Sequence, residues 1–317
     1  MIFDNPAELK DRIEELTPRR VYGRIRIVED TSSYMSIEGG AVLRLAGHDY
    51  YVMGDTKEGR FGIEDQPKFW VKYAVDLTTG ASKIIKLVFH EQFTTALAGF
   101  KIHCRRSPTK EADFIDAVRG SPHFMQGERV IDQVGNLVRI IDFIKGPTLF
   151  NHLATLDLPH ERYFHEVLPG LMQRLIPAID ALAAVHRRGH HHGDVRNDHL
   201  LVSSETGDLR WIDFDYEVNF TDYDVWSMGN IISYAVGKGI HTFHEVARRP
   251  DRYPRMTRYL DEHDALMLFR HRVVNLKKLY PYIPRELNDI LVRFSVGAID
   301  FYDDLDAQVR DLRAVFG

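Results

Sequence analysis

From Val21 to Phe89 apolar and polar positions alternate in short runs, VYGRIRIV, AVLRLAG, DYYVMGD, FWVKYAVDL and SKIIKLVF, each bounded by turn residues. Alternation puts every second side chain on one face of a pleated strand, and β-branched and aromatic residues suit that surface. This half is predicted to be mostly sheet. Its cleanest hairpin joins Phe69–Leu77 to Ser82–Phe89 through Thr78-Thr79-Gly80-Ala81, where glycine supplies the positive φ of a tight connection. In TKEADFIDAVR, Thr109 to Arg119, the period changes: Phe114, Ile115 and Val118 share one helical stripe after the start signal Ser107-Pro108-Thr109. The runs ERVIDQ and NLVRIIDFI then return to strand around a Gly135-Asn136 turn, and Gly146-Pro147 breaks the chain.

After Thr148 the spacing is helical almost throughout. Leu168, Leu171, Leu175, Ile176, Ile179, Leu182 and Val185 form a broad apolar face up to His186. Two short strands, His199–Val202 and Arg210–Ile212, interrupt the helices, which are expected to resume over Val225–Val236, Ala265–Leu279 and Arg285–Phe294. A sheet-rich half with one main helix, followed by a helical half, predicts an α+β chain.

A chain of 317 residues, 44% hydrophobic and 27% charged, is long enough for one two-part globular unit and excludes disorder or coiled coil as the main architecture. A net charge of −5 offers no bulk attraction to nucleic acid or anionic lipid. Cys104 is the one cysteine, so no intramolecular disulfide forms, and a reducing compartment, the cytoplasm, is expected. The start, MIFDNPAELKDRIEEL, is charged and helical in pattern, with no basic start leading into an apolar run. No stretch reaches 18 consecutive apolar residues, so no membrane partner is expected.

The chemistry-bearing residues concentrate in HHHGDVRNDHLLV, His190 to Val202, and in WIDFD, Trp211 to Asp215. Two carboxylates at the ends of neighbouring short strands, Asp194 and Asp213, suit phosphoryl transfer from a metal nucleotide. Together with the helix before them, with DYDVWSMGN after them, with VKYAVDLTTGASKIIKLVF upstream and with the closing helical run, these segments resemble the protein-kinase-like superfamily. The resemblance covers Val71 to the C-terminus. It implies a two-lobed fold, a β-rich N-lobe over residues 51–146 and a helical C-lobe over 147–317, with residues 1–50 extending the small lobe.

The resemblance also implies roles. Lys86 matches the strand lysine that holds the α- and β-phosphates of ATP, and Glu111 the helix glutamate that pairs with it. Glutamate in a first helical turn is also favourable to the helix dipole. Asp194 matches the base that takes the acceptor hydroxyl proton, and Arg196 stands where a lysine contacts the transferred phosphate. Asp213 matches the metal-bridging aspartate, Asp224 the residue that braces the catalytic loop, and backbone from Asp142 to Ile144 the segment that meets adenine. The cofactors implied are ATP and magnesium or manganese.

Several positions depart from the family. His199 replaces the asparagine that holds a second metal; imidazole suits manganese better than magnesium, and Asp198 or Asn197 are alternative ligands. Glu64, Gln66 and Phe69 align where phosphate-loop glycines belong, with Gly59 and Gly62 nearby in another register. Ten residues separate Asp213 from Asp224, a reach of about 35–40 Å at most. With Gly193 in place of a phosphate-gripping arginine, and Asp215 in place of the motif glycine, this marks an atypical member with a short activation segment, not regulated by phosphorylation there. Small-molecule kinases of the aminoglycoside and choline type share the short segment. The cluster His190, His191, His192 and His199 invites a transition-metal reading, but consecutive histidines do not all face one ion in an extended segment, and His192 matches the family's core-packing residue, so a dedicated zinc site is not expected. Two functions follow: a phosphotransferase acting on a protein Ser/Thr or a small-molecule hydroxyl, or a pseudokinase that binds nucleotide or serves as a scaffold.

Overall fold

In a computed structural model the chain forms two compact units, Met1–Glu91 with Arg106–Gly120 and Met125–Ile144, and Gln92–Arg105 with Ser121–Phe124 and Lys145–Gly317. The structure describes residues 1–60, 63–97, 99–220, 222–249, 253 and 255–317. The elements of the first half are α1 (Pro6–Leu16), β1 (Ile27–Val28), β2 (Val42–Leu45), β3 (His48–Arg60), β4 (Ile63–Asp76), β5 (Ser82–Lys86), β6 (Glu91–Leu97), β7 (Phe100–Arg106), α2 (Pro108–Ala117), β8 (Gly127–Ile131) and β9 (Leu137–Asp142). The second half carries α3 (Leu149–Ala154), α4 (His160–Glu166), α5 (Leu168–His186), β10 (Leu200–Val202), β11 (Leu209–Trp211), β12 (Tyr216–Val218), α6 (Tyr223–Gly237), α7 (Phe243–Arg248), β13 (Ala265–Leu266), β14 (Phe269–Val273), α8 (Arg285–Val292) and α9 (Leu305–Phe316).

The first unit is built on a seven-stranded sheet of order β1-β2-β3-β4-β5-β9-β8, antiparallel except for the parallel β1–β2 pair. Alternation along β2 and β3 sorts its residues between two cores. Val42 and Tyr51 pack with Leu9 and Ile13 of α1 and with Leu77, while Leu43, Tyr50 and Val52 join Trp70, Ile85, Leu87, Val138 and Ile140. The predicted β4–β5 hairpin forms, with Gly80 at φ +76° in its turn. Asp132 in the β8–β9 turn accepts hydrogen bonds from the Thr31 N–H and hydroxyl at 2.8 and 2.7 Å, fastening residues ahead of β2 to this end of the sheet.

Three expectations change. The alternation from Val21 to Val28 yields strand only at Ile27–Val28; Gly23 is at φ +82° and Tyr22, Arg24 and Arg26 face solvent, so nothing rewards pairing there. The β3–β4 connection lies between Arg60 and Ile63, which makes Glu64, Gln66 and Phe69 strand residues of β4; Gly59 stands beside the connection, and Gly62 lies outside the described residues. Of the helix expected over Ala265–Leu279, Ala265–Val273 is a bulged hairpin, β13–β14, and only Leu276–Lys278 turns helically, as one 3-10 turn. The hairpin strands gain partners distant in sequence, Thr242 opposite Arg272 and Ser295 opposite Leu266, and such tertiary pairing overrides a helical spacing.

The second unit is centred on α5, whose ten buried residues include the predicted apolar face. By length and composition α5 could cross a membrane, and 56% of its apolar window is buried in the structure. A buried α6 and the β10–β11 hairpin complete the part that positions the site. The sheet β12-β7-β6 uses Glu91–Arg106, a segment to which the sequence pattern assigns no element. Mostly exposed side chains along β6 leave no alternation to read.

Candidate functional site

The predicted residues fall into two groups, one in each unit. In the first unit Lys86 ends β5, directly opposite Val71 of β4 and Arg139 of β9. Two cations side by side on neighbouring strands repel one another. Glu111 resolves this: it lies in the first turns of α2, whose N-cap Ser107 accepts a hydrogen bond from the Lys110 N–H. Its carboxylate is fully buried, with Oε1 2.6 Å from Lys86 Nζ and Oε2 3.3 Å from Arg139 Nε. Arg139 also donates to the Leu87 carbonyl at 3.2 Å. Arg139 is absent from the sequence reading; its one signal is a charge inside the otherwise apolar run Leu137–Ile141.

The stretch expected to meet adenine is partly committed within this unit. The Asp142 N–H donates to the Gln126 carbonyl at 2.9 Å and the Phe143 N–H to the Ser82 carbonyl at 3.2 Å. The Asp142 carboxylate holds Lys83 Nζ at 2.5 Å. The Ile144 N–H takes no part in these bonds.

In the second unit the register of a two-stranded ladder does the positioning. Leu200 faces Trp211 across β10 and β11, so His199, just before one strand, meets Ile212 and Asp213, just after the other; the Ile212 N–H donates to the His199 carbonyl at 3.0 Å. Trp211 anchors the hairpin by donating from Nε1 to the Ala178 carbonyl of α5 at 2.9 Å. His199 is 4% exposed and stands between the two carboxylates. Its Nδ1 is 2.9 Å from the Asp194 carbonyl and 3.4 Å from Asp194 Oδ2, and its Nε2 is 3.6 Å from Asp213 Oδ2. An Arg196 amino group lies 3.0 Å from Nε2. Arginine can only donate, so this network assigns the proton to Nδ1 and leaves the Nε2 lone pair facing Arg196 and Asp213.

Arg196 grips Asp198 with its fork, at 3.1 and 2.7 Å, and approaches Asp194 Oδ1 at 3.8 Å. Of the alternative ligands, Asp198 is therefore taken up by Arg196. Asn197 keeps a buried Oδ1 with no hydrogen-bond partner. Burial pushes the Asp194 carboxyl above its ordinary value; His199 and Arg196 counter this, and Asp198 and Asp213 add to it. Asp213 has φ +62°, in the left-handed region that aspartate tolerates better than most residues, and such backbone persists where the surroundings hold it.

Asp224, in the first turn of α6, holds the loop from beneath. Oδ2 accepts from the His192 N–H at 2.6 Å and from His186 Nε2 at 2.9 Å, and Oδ1 from the Gly193 N–H at 2.8 Å. Burial alone would raise this carboxyl. The His186 hydrogen bond, the His192 and His186 charges and the Gly193 N–H outweigh it and hold the group at about 2. Gly193, at φ +82°, gives the loop the turn that brings both N–H groups to one carboxylate. Of the histidine run, His191 joins His186 and Asp224 with donor atoms within 4.8 Å of one another, whereas His192 packs against Phe214 and Trp211.

No family model matches the chain. It is 27% identical over 179 residues, 56% of its length, to CBL-interacting protein kinase 17 of Oryza sativa subsp. japonica. It is 28% identical over 147 residues, 45% of its length, to putative CBL-interacting protein kinase 13 of the same plant. The matched regions make up 34% and 25% of those relatives, so the chain spans about a third and a quarter of their lengths. These partial similarities point to a protein-kinase-like relationship, and the division into a sheet-rich and a helix-rich unit is consistent with a kinase-like fold.

Proposed function

We propose that this kinase-like chain is an ATP- and divalent-metal-dependent phosphotransferase acting on an acceptor hydroxyl. The observation that carries the reading is the convergence of Asp194, His199 and Asp213 in one part-buried cluster. Part-buried carboxylates brought together in this way are stabilised by a bound cation. The Asp213 oxygen and the His199 Nε2, 3.6 Å apart, are near the separation of about 3–3.4 Å that two ligands of one ion adopt, and an ion there would take over the Nε2 lone pair that Arg196 now meets at 3.0 Å. A carboxylate with an imidazole favours manganese over magnesium. A metal held by these residues supplies neutralising charge to the phosphate oxygens.

The chain's own residues then divide the work. Lys86, fixed by Glu111, receives the α- and β-phosphates, and backbone at Asp142 to Ile144 receives adenine. Asp194 accepts the proton of the attacking hydroxyl, and its raised pKa makes it a better base than an exposed aspartate. Arg196 steadies charge on the transferred group.

A thermal-shift titration with ATP in magnesium and in manganese tests the reading, since a ligand of the folded state alone raises its stability, by about 2.7 kcal/mol at a hundredfold excess over Kd. No shift with either metal sinks it. Asp213→Ala should remove the metal-dependent shift. Asp194→Ala should keep the shift and lower phosphoryl transfer by about 10²–10⁴-fold. A shift without transfer in the unsubstituted chain favours the pseudokinase reading.

A further inference from the structure

The catalytic-loop segment from Val195 to Asp198 forms one wall of a cavity of about 280 Å³ within the second unit. This is near the lower end of the range of about 300–1,000 Å³ for small-molecule sites. Phe150, Ile240 and Phe269 give it apolar walls, and Tyr223 and Asn230 of α6 and Arg272 of β14 supply polar groups. The β13–β14 hairpin, found where a helix was expected, is what delivers Arg272 to this place.

Arg272 is held but not neutralised. Its guanidinium lies over the Phe269 ring at 4.1 Å and donates to Asn230 Oδ1 at 3.3 Å, and among the described residues no carboxylate pairs with it. Burial opposes its charge. Arginine nonetheless stays protonated in proteins, and a part-buried cation without a counter-ion is costly. Arg196, the other cation of the lining, is engaged by Asp198, so the cavity keeps a surplus of one positive charge. On the catalytic-loop side the buried Asn197 Oδ1 lacks a donor.

We propose that this cavity binds the acceptor, a small organic anion with its carboxylate or phosphate on Arg272 and a hydroxyl at the loop wall next to Asp194. The assignment rests on the phosphotransferase reading for the hydroxyl's fate and on the cavity alone for the anion. In the reaction the acceptor oxygen forms a bond to the γ-phosphorus and the bond from that phosphorus to the β–γ bridging oxygen breaks. The hydroxyl proton passes to Asp194 and ADP leaves. Apolar walls account for a carbon stem between the two polar ends, and the planar guanidinium fork suits either anion.

Calorimetric titration of the full chain with glycerol 3-phosphate, glycerate and glycerol, in the absence of nucleotide, separates this inference from the one it rests on. At least one anion should bind, glycerol should bind at least tenfold more weakly, and Arg272→Gln should weaken the anion at least tenfold. Which anion binds tells phosphate from carboxylate. A companion measurement uses the unsubstituted chain: phenylglyoxal labelling of Arg272, mapped by peptide mass, should slow at least fivefold in the presence of the binding anion. If neither anion binds, if Arg272→Gln leaves binding unchanged, or if labelling is unprotected, the cavity is not an anion site, whatever the thermal shift with ATP shows. Binding of an acidic Ser-containing peptide, with neither small anion bound, likewise overturns it.

Discussion

In the sheet-rich unit one carboxylate, Glu111, serves two cations, Lys86 and Arg139; in the helix-rich unit three carboxylates, Asp194, Asp198 and Asp213, surround one guanidinium, Arg196, and one imidazole, His199. The first cluster is buried throughout. The second retains some exposure, the Asp213 side chain at 19% and Asp194 at 14%. Burial separates the two clusters. Substitutions in the first cluster act on stability before they act on chemistry, and those in the second do the reverse.

The largest expected stability effect is at Glu111. Glu111→Ala removes the carboxylate with which both Lys86 and Arg139 pair, and removing one partner of a buried pair costs about 3–5 kcal/mol. Lys86→Met should cost clearly less, because Glu111 keeps Arg139 and the hydrocarbon stem of lysine is replaced by a thioether of similar length. Urea unfolding of both variants checks the order. Equal losses would mean that Arg139 does not share the carboxylate, which would break the account of the first cluster.

Asp224 crosses the comparison, since it is a fully buried carboxylate in the unit whose other carboxylates serve chemistry. Its folded pKa, about 2 against an ordinary 3.8, is depressed, so its stabilising contribution is present above the unfolded value and is lost as pH falls from about 4 through about 2. The shift corresponds to about 2 kcal/mol. Asp224→Asn should lower stability at pH 7 by about that amount and flatten the acid limb of the stability curve. Unchanged stability, with unfolding curves that superimpose on the parent between pH 4 and 2, would mean the carboxylate does not hold the loop through its charge.

The two clusters were not equally readable from sequence. Lys86 and Glu111 sit where a strand alternation and a helical stripe place them, each defined by neighbours a few positions away. Arg139 was not readable, because one charge in an apolar strand reads as a surface excursion until the register with Lys86 is known. In the second unit the motif identified Asp194, Asp213 and Asp224, but the central place of His199 depends on the pairing of Leu200 with Trp211, which the sequence brackets without setting. The strands at Glu91–Arg106 and Ala265–Val273 escaped for a related reason. Their stability comes from partners distant in the chain, whereas apolar spacing reports only local periodicity.

The finest test of the comparison is at His199, where a change of one ligand atom should alter metal choice while leaving the fold in place. In His199→Asn the amide can still donate to the Asp194 carbonyl, which now holds Nδ1 at 2.9 Å, and it turns an oxygen to the side on which the imidazole carries Nε2, though one bond shorter. Oxygen is the harder donor, so the variant should shift preference from manganese towards magnesium. A few-fold change in the ratio of apparent affinities corresponds to about 1 kcal/mol or less. The readout is ATP-induced thermal shift titrated with each metal in parent and variant, with urea unfolding to confirm equal stability. A ratio that stays constant at equal stability would place His199 among the loop's structural residues, leaving Asp213 to hold the cation without it.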